Sequence, residues 1–88
     1  MTMQWTEHAL ERAQERFPGA DMLVLYARAR RAGKKTKRRI KASCPVSARK
    51  WMSSGFVGRY YLVTRDGIVF VMQAPETVVT VFDMNEPP

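Results

Sequence analysis

His8, Arg12 and Arg16 follow one another at four-residue spacing in the stretch WTEHALERAQERF, residues 5 to 17. Side chains four positions apart lie on the same face of an α-helix, so a helix here presents an imidazole and two guanidinium groups together. The pKa of a free histidine is about 6.5, which suits proton transfer near neutral pH, and arginine offers a planar pair of donors to phosphate oxygens. This spacing therefore predicts a helix face suited to chemistry on a phosphate ester.

The same residues have a simpler interpretation as an ordinary solvated helix face. The two arginines could pair with Glu11 or Glu15 along the helix, and such a surface pair contributes only about 0.2 to 0.5 kcal/mol. His8 is also the single histidine of the chain. A proton-transfer mechanism therefore needs a second group, for which Tyr60, Glu11 and Glu15 are the candidates.

Size and composition bound the class of protein. At 88 residues the chain is predicted to be one domain, residues 1–88, because a second hydrophobic core would be too small to hold. An apolar fraction of 45% predicts a globular protein. No apolar run approaches the roughly 20 residues of a membrane span, and the start MTMQWTEH lacks the segments of a signal peptide. We therefore expect a cytoplasmic protein without membrane contact.

Sequence motifs for cofactors are missing. The chain has no Walker loop, Rossmann glycine fingerprint, Gly-x-Ser-x-Gly elbow or zinc-type spacing of Cys and His. Its one cysteine, Cys44, cannot form an internal disulfide or a cysteine-rich zinc site, and we interpret it as a small buried residue or an inert thiol. We expect neither a cofactor nor a metal.

Positive charge is concentrated between Asp21 and Asp66, where there is no acidic residue and where 13 of the 15 Lys and Arg residues lie. Within this stretch, residues 28–41 carry nine cations in 14 positions. Such a density repels itself unless an anionic surface comes near, and it could neutralise several phosphates and release their counterions. The predicted nucleic-acid-binding residues are Arg28, Arg30, Arg31, Lys34, Lys35, Lys37, Arg38, Arg39 and Lys41. An acidic protein surface is the alternative partner, because electrostatics alone does not distinguish it from a phosphate backbone.

Two helices are predicted ahead of and within this basic segment. Thr6 is the expected N-cap of the first, which runs through Phe17 and stops at Pro18-Gly19. Asp21 is the expected cap of the second, with Gly33 as its left-handed closing residue. The side chains expected to face the core are Leu10, Ala13 and Phe17 on the first helix and Met22, Leu25, Tyr26 and Ala29 on the second.

The middle of the chain gives a weaker pattern, and the C-terminal part reads as β structure. We expect a basic loop after the second helix, with a short strand near residues 39–43 and a short helix near residues 46–52. RYYLVTR, IVFVMQ and TVVTVFD are rich in β-branched and aromatic residues and predict an antiparallel meander. The expected fold class is α+β, with two N-terminal helices packed on a C-terminal antiparallel sheet of three to four strands.

Asp66-Gly67 is typical of a two-residue hairpin turn with positive φ at both positions. Such a turn pairs Arg65 with Ile68 and Val63 with Phe70. The middle strand is apolar on both faces, which indicates that helices or a loop cover both faces or that one face is the floor of a cleft.

This pairing places Tyr60, Gln73 and Thr80 close together on one face of the sheet. The grouping also assumes a four-residue loop between the second and third strands of the meander. A loop one residue longer or shorter would reverse the faces of the last strand and remove the grouping. Residues 84–88 have too little apolar content to order themselves, so we expect this tail to fray.

The order of the elements resembles that of small phage and bacterial domains of unknown function grouped with the barnase, colicin and RelE-like ribonuclease fold. The matching stretches are HALERAQER at 8 to 16, RYYLVTRDGIVFVM at 59 to 72 and VVTVFD at 78 to 83. The resemblance covers both ends of the chain but not residues 30–57. It implies helices packed on a sheet and, in active members, toxin-like, metal-independent cleavage of RNA.

The resemblance also implies roles for individual residues. His8 would be the general acid or base, Arg12 or Arg16 the phosphate clamp, and Thr80 would contribute its hydroxyl. RNA is then the favoured nucleic acid, and an antitoxin is a candidate partner.

Two alternatives remain open because the long basic segment departs from the family pattern. One is a nucleic-acid-binding module in which His8 has no special role. The other is a non-catalytic, phage-type protein that binds and inhibits an acidic host protein. Trp5 and Trp51 could stack on bases, although we expect one of them to belong to the core.

Overall fold

The computed structural model describes residues 3–52, 55 and 57–85, and over these residues the chain is an α+β protein, as predicted. The elements, in chain order, are β1 (Gln4–Trp5), α1 (Glu7–Arg16), α2 (Met22–Arg28), β2 (Arg30–Arg31), α3 (Lys34–Ser43), a 3₁₀ helix (Val46–Trp51), β3 (Arg59–Val63), β4 (Ile68–Gln73) and β5 (Thr77–Asp83). The strands form one sheet in the order β1-β5-β4-β3-β2. Because β1 runs parallel to β5, the described part holds a mixed five-stranded sheet and a third α-helix, instead of two helices on a purely antiparallel meander.

The two unpredicted strands lie at the edges of the meander. Each has only two residues, too few to produce a periodic pattern in the sequence. Gln4 N donates to Glu76 O (2.9 Å) beside β5, and Ala32 N donates to Tyr61 O (2.9 Å) beside β3. These bonds satisfy edge carbonyls of β3 and of the turn before β5, which the meander alone would leave unpaired.

The first two helices begin at the predicted caps, but the second ends earlier than predicted. The side chains of Thr6 and Asp21 each accept hydrogen bonds from backbone N–H groups in the first turn that follows. α2 ends at Arg28, because residues 30–31 leave the helix to pair with β3. Gly33 has φ −81° and is the N-cap of α3, so the prediction that it closes α2 in a left-handed conformation is wrong.

The cation-rich residues 34–43 form the helix α3, where the sequence predicted a loop and a short strand. Lys and Arg have unbranched side chains that lose little rotamer freedom in a helix. Thr36, Ile40 and Cys44 recur at four-residue spacing, and the last two are buried. The prediction failed because the charge density hid this inward-facing stripe. The short helix predicted at 46–52 is present as the 3₁₀ helix.

The hairpin between β3 and β4 has a longer turn than predicted. Gly67 has φ 92°, but Asp66 does not have a positive φ. The N–H of Gly67 donates to Thr64 O (3.0 Å), and the loop has three residues instead of two. Leu62 therefore lies opposite Phe70. Because side chains alternate between the two faces, this shift of one residue moves every β3 side chain to the face opposite the predicted one.

Helices cover both faces of the sheet, as the apolar middle strand indicated. α1 and α2 pack on one face, whose buried residues are Ala9, Ala13, Phe70, Met72, Val78 and Val81. α3 and the 3₁₀ helix pack on the other, whose buried residues include Ile40, Cys44, Ala48, Tyr61, Val69, Val71 and Phe82. The inward residues predicted for α2 are confirmed, as is the burial of Cys44. On α1, Leu10 is 50% exposed and Ala9 is buried in its place.

The chain after β5 returns to the β3–β4 turn. Met84 N donates to Gly67 O (2.9 Å), and Asn85 Nδ2 donates to Asp66 O (3.0 Å). The fraying predicted for residues 84–88 therefore does not hold for the first two of them. Residues 86–88 lie outside the described residues.

Candidate functional site

The start of α1 is fixed to β5, and this places His8 beside that strand. Thr6 N donates to Val78 O (3.1 Å), and Thr6 Oγ1 donates to Val79 O (3.3 Å). The same hydroxyl accepts a hydrogen bond from Ala9 N (3.0 Å) and so caps the helix. One threonine thus starts the helix and ties it to the sheet, with His8 in the first turn.

His8 makes a hydrogen bond to a strand residue at the far end of the chain. Its Nε2 lies 3.2 Å from Oγ1 of Thr80, which is 2% exposed. A β-bulge lies at this point of β5, because Thr80 is opposite Val71 while Val79 has no partner of its own in β4. Bulges re-aim side chains and are frequent next to active sites. Here the bulge lies directly beside the residue that contacts His8.

The end of the 3₁₀ helix completes the surroundings of the imidazole. The rings of His8 and Trp51 have centroids 4.4 Å apart and are tilted by 31°. Lys50 Nζ lies 5.2 Å from the centroid of the Trp51 ring. We refer to His8, Thr80, Trp51, Lys50, Arg12 and Arg16 as the histidine site.

Burial and neighbouring cations lower the pKa of His8 below its ordinary value of 6.5. Partial desolvation is the largest cause, and the charges of Arg12 and Lys50 act in the same direction, while Glu11 opposes them. The imidazole is therefore neutral at pH 7 and has one unprotonated ring nitrogen. If Nε2–H donates to the Thr80 hydroxyl, the lone pair of Nδ1 is the available base; if Thr80 donates, Nδ1 carries the proton.

The two arginines on α1 are not arranged as the simple phosphate clamp that the sequence suggested. Arg12 Nη1 pairs with Glu15 Oε2 at 2.6 Å, the i,i+3 surface pair that the sequence offered as the alternative. The positive charges of Arg12 and Arg16 both act on the pKa of His8, which places both guanidinium groups within electrostatic range of the imidazole. The structure therefore brings His8 and Thr80 into contact, and the charges of Arg12, Arg16 and Glu11 act on the pKa of the imidazole.

Tyr60 does not belong to this group, and the predicted grouping of Tyr60, Gln73 and Thr80 is wrong. Tyr60 lies opposite Met72 and packs on the sheet face that α1 and α2 cover, where the Arg31 guanidinium lies 4.7 Å from its ring centroid. Gln73 is bound to Val57 O (2.6 Å) at the end of β4. The cause is the longer hairpin turn, which exchanges the faces of β3.

The tyrosine that shares a strand row with Thr80 is Tyr61, through Val71. It is buried, and burial raises the pKa of its hydroxyl. The candidates for a second proton-transfer group were Tyr60, Glu11 and Glu15. Of these three, Glu11 is the one whose charge acts on the pKa of His8.

The nine predicted nucleic-acid-binding cations lie on the edge strand β2 and on the two helices that flank it in the sequence. Arg28 ends α2, Arg30 and Arg31 form β2, and the remaining six are on α3. Eight are exposed and Lys37 is half-buried. Within the described ranges none of the nine is in an ion pair. We refer to these nine residues as the basic surface.

The charges and the N-cap of α3 are unfavourable for helix stability when no anion is bound. Lys34 and Lys35 lie in its first turn, where the helix dipole disfavours positive charge, and its N-cap Gly33 has no side chain to cap the helix. The pairs Lys34–Arg38, Lys35–Arg39 and Lys37–Lys41 place like charges at i,i+4, each destabilising by about 0.2 to 0.5 kcal/mol. The helix is held instead by the buried Ile40.

Strands β4 and β3 separate the histidine site on β5 from β2, the edge strand of the basic surface. Three strand intervals of about 4.8 Å put the two strands roughly 14 Å apart. Sequence reasoning missed Lys50 and Arg65 and left Trp51 undecided. The sequence signal for Lys50 and Trp51 is the basic-aromatic stretch ArgLysTrp at 49–51. The signal for Arg65 is its position next to the Asp66-Gly67 turn.

The comparisons with known proteins are negative: no protein-family model matches the chain, and neither a curated protein nor a solved structure is significantly similar to it. Among the described residues, no three or more His, Cys, Asp or Glu side chains are grouped so that they could hold a metal ion. None of the described helices has the length and apolar character needed to span a membrane.

Proposed function

We propose that the protein binds nucleic acid, with RNA favoured over DNA, through the basic surface. The observation that carries this proposal is that nine cations from one chain segment are placed on β2, α3 and the end of α2 without a carboxylate partner in the described part of the chain. A solvated protein surface mixes charges of both signs, whereas a surface of one sign attracts a polyanion and releases its counterions. The cytoplasm, where RNA is abundant, is the proposed place of action.

RNA is favoured because the chemistry available at the histidine site needs a 2′-hydroxyl. A neutral imidazole beside Arg12, Arg16 and Lys50 suits the removal of that proton next to a phosphate. DNA has no such group and offers the histidine site nothing to deprotonate.

The binding proposal is tested by titrating labelled single-stranded RNA at several salt concentrations. A variant with Lys34, Lys35, Arg38 and Arg39 changed to Gln should bind much more weakly, and its salt dependence should be shallower by roughly 3 in log K against log salt, because each phosphate contact on a single strand contributes about 0.7. His8→Ala is the control and should bind like the unaltered protein. A flat salt dependence would contradict the proposal. Retention of an acidic host protein or an antitoxin after nuclease treatment, without RNA binding, would favour a protein partner.

A second function, metal-independent endoribonuclease activity, is favoured by the hydrogen bond between His8 Nε2 and Thr80 Oγ1. In the proposed reaction His8 removes the 2′-hydroxyl proton, and the 2′-oxygen attacks phosphorus. The bond from phosphorus to the 5′-oxygen breaks, which gives a 2′,3′-cyclic phosphate and a 5′-hydroxyl whose proton is returned by protonated His8. Arg12, Arg16 and Lys50 would stabilise the added charge, and Thr80 would hold the imidazole in position. The grouping with ribonuclease toxins remains a proposal on the same footing.

The cleavage proposal is tested with labelled RNA in the presence of EDTA. The unaltered protein should release fragments ending in a 2′,3′-cyclic phosphate, and His8→Ala should not. If RNA stays intact at protein concentrations that fully bind it, the protein is a binding module and His8 is not a catalytic residue.

A further inference from the structure

A concavity lies at the edge of the sheet between β2, α3 and the turn after β3. Its volume is about 680 Å³, which is within the range of roughly 300 to 1,000 Å³ typical of ligand sites. The polar side chains that line it are Arg28, Arg30, Arg31, Arg65, Thr36 and Thr64. Three of these arginines belong to the basic surface, and Arg65 comes from the hairpin turn 34 residues beyond Arg31. We refer to this concavity as the arginine pocket.

The lining of the arginine pocket has the chemistry of a phosphate site. Four arginines line it, and no aspartate or glutamate does. Arg31 is held by its contact with the Tyr60 ring (4.7 Å to the centroid). Thr64 is 6% exposed and its Oγ1 accepts a hydrogen bond from Ile68 N (3.0 Å), which leaves its hydroxyl proton free to be donated. Guanidinium forks bind phosphate oxygens in two-point contacts, and a hydroxyl donates a single hydrogen bond to such an oxygen.

A second, smaller concavity continues from the first. It measures about 240 Å³ and shares Thr36, Thr64 and Arg65 with the arginine pocket. Its additional lining includes Arg39 and Asn85, which supply one further cation and one amide. The two concavities therefore adjoin each other, and Arg39 of α3 lines the smaller one.

The charge of the pocket favours a phosphate with more than one negative charge. A phosphomonoester carries about −1.5 to −2 at pH 7, whereas each internal diester of a nucleic acid carries one charge. An internal diester is also flanked by sugars on both sides, so it meets an open surface more easily than a concavity. The end of a strand can enter the concavity with its phosphate first.

We propose that the arginine pocket binds the terminal phosphomonoester of a nucleic-acid strand, with the rest of the strand leaving past Arg39. This inference rests on the proposed nucleic-acid binding and names the part of the ligand that the pocket recognises. A free nucleotide has the same chemistry, and the experiment below distinguishes the two sources.

The test compares two labelled 2′-O-methyl RNA strands of one sequence, one with a 5′-phosphate and one with a 5′-hydroxyl. The 2′-O-methyl group prevents cleavage through the 2′-oxygen. A third strand, with a 5′-hydroxyl and two additional nucleotides, matches the total charge of the phosphorylated one. We expect the phosphorylated strand to bind about tenfold more tightly than both others, a difference of about 1.4 kcal/mol.

Two double variants of equal charge locate the effect. Arg30→Gln with Arg65→Gln removes two cations of the arginine pocket, and Arg38→Gln with Lys41→Gln removes two exposed cations of α3 that do not line it. Both should weaken binding in general. Only the pocket variant should lose the tenfold preference for the phosphorylated strand.

Each outcome separates this inference from the binding proposal. Equal affinity for all strands, or equal loss of preference in both double variants, overturns the pocket assignment and leaves nucleic-acid binding standing. If no strand binds, the proposed function fails, and a nucleoside 5′-monophosphate becomes the probe. Stabilisation by this nucleotide in thermal unfolding, lost in the pocket variant alone, assigns the pocket to a free nucleotide; no stabilisation overturns the inference.

Discussion

The histidine site is assembled from three distant parts of the chain, whereas the basic surface comes from one continuous segment. His8 and Thr80 are 72 residues apart in sequence, and Trp51 comes from a third element between them. The nine cations of the basic surface lie within 14 residues. The first region therefore exists only when α1, the 3₁₀ helix and β5 are packed together, and the second needs little more than exposure.

The two regions also differ in the burial and in the partners of their charged groups. In the histidine site, partial burial and neighbouring cations make one imidazole more easily deprotonated, and Arg12 has a carboxylate partner in Glu15. On the basic surface eight of the nine cations are exposed, and within the described ranges none of the nine is in an ion pair. The first arrangement is suited to one positioned reaction, and the second to attraction of any polyanion. The molecule thus separates the group that could act on RNA from the groups that would hold it.

The largest expected effect tests whether the two regions work separately. His8→Ala should lower the rate of the proposed RNA cleavage by about 10²- to 10⁴-fold, because the proposed general base is lost, and change RNA affinity by less than twofold. The variant with four Gln on α3 should do the reverse, with weak binding but a nearly normal single-turnover rate at saturating RNA. If a variant of either region lowers both the cleavage rate and the RNA affinity, the two regions do not act separately.

A smaller effect is expected at the contact between helix and strand. Thr80→Val keeps the shape of the side chain but removes the hydrogen bond to His8, so the free energy of unfolding should fall by about 1 kcal/mol. In the His8→Ala background the same change should cost clearly less, because its partner is already missing. Thermal or urea unfolding of the four proteins measures the coupling, and equal costs in both backgrounds would show that the hydrogen bond contributes nothing.

The folded protein should become more stable when the unfavourable charge pattern of α3 is changed. Lys34→Glu places an acid in the first turn of α3 and opposite Arg38 at i,i+4, and should raise the free energy of unfolding by about 0.5 to 1 kcal/mol. Lys41→Glu changes the net charge equally but lies in the last turn, where the dipole disfavours an acid. We expect the control to be stabilised by less than half as much. Equal stabilisation would indicate that only net charge matters.

The smallest effect is a pH dependence specific to the histidine site. Because the pKa of His8 is lowered in the folded protein, the unfolded chain takes up a proton first as the pH falls. The contribution of neutral His8 is therefore complete above pH 6.5 and is lost as the pH drops from 6.5 toward the lower folded pKa. The difference in unfolding free energy between the unaltered protein and His8→Gln should narrow over this window. A difference that stays constant would contradict the lowered pKa.

Secondary structure was predictable where its signal is local, and less so where pairing decides it. Thr6 and Asp21 as caps follow from side chains that reach the next turn of backbone. Helix α3 was missed because its six cations masked the inward spacing of Ile40 and Cys44. β1 and β2 were missed because two residues form a strand only when an open edge of β5 or β3 is next to them.

The amino-acid sequence by itself determined the α+β class, the position of the first two helix starts and the concentration of cations in residues 28–41. These depend on composition and on interactions within a few residues. Only the tertiary structure decided that Tyr61 and not Tyr60 shares a strand row with Thr80, because one additional residue in the β3–β4 turn exchanges the faces of a strand. It also decided that Trp51 stacks on His8 and that Arg65 joins Arg30 around one pocket, since contacts between distant residues arise only from packing on the shared sheet.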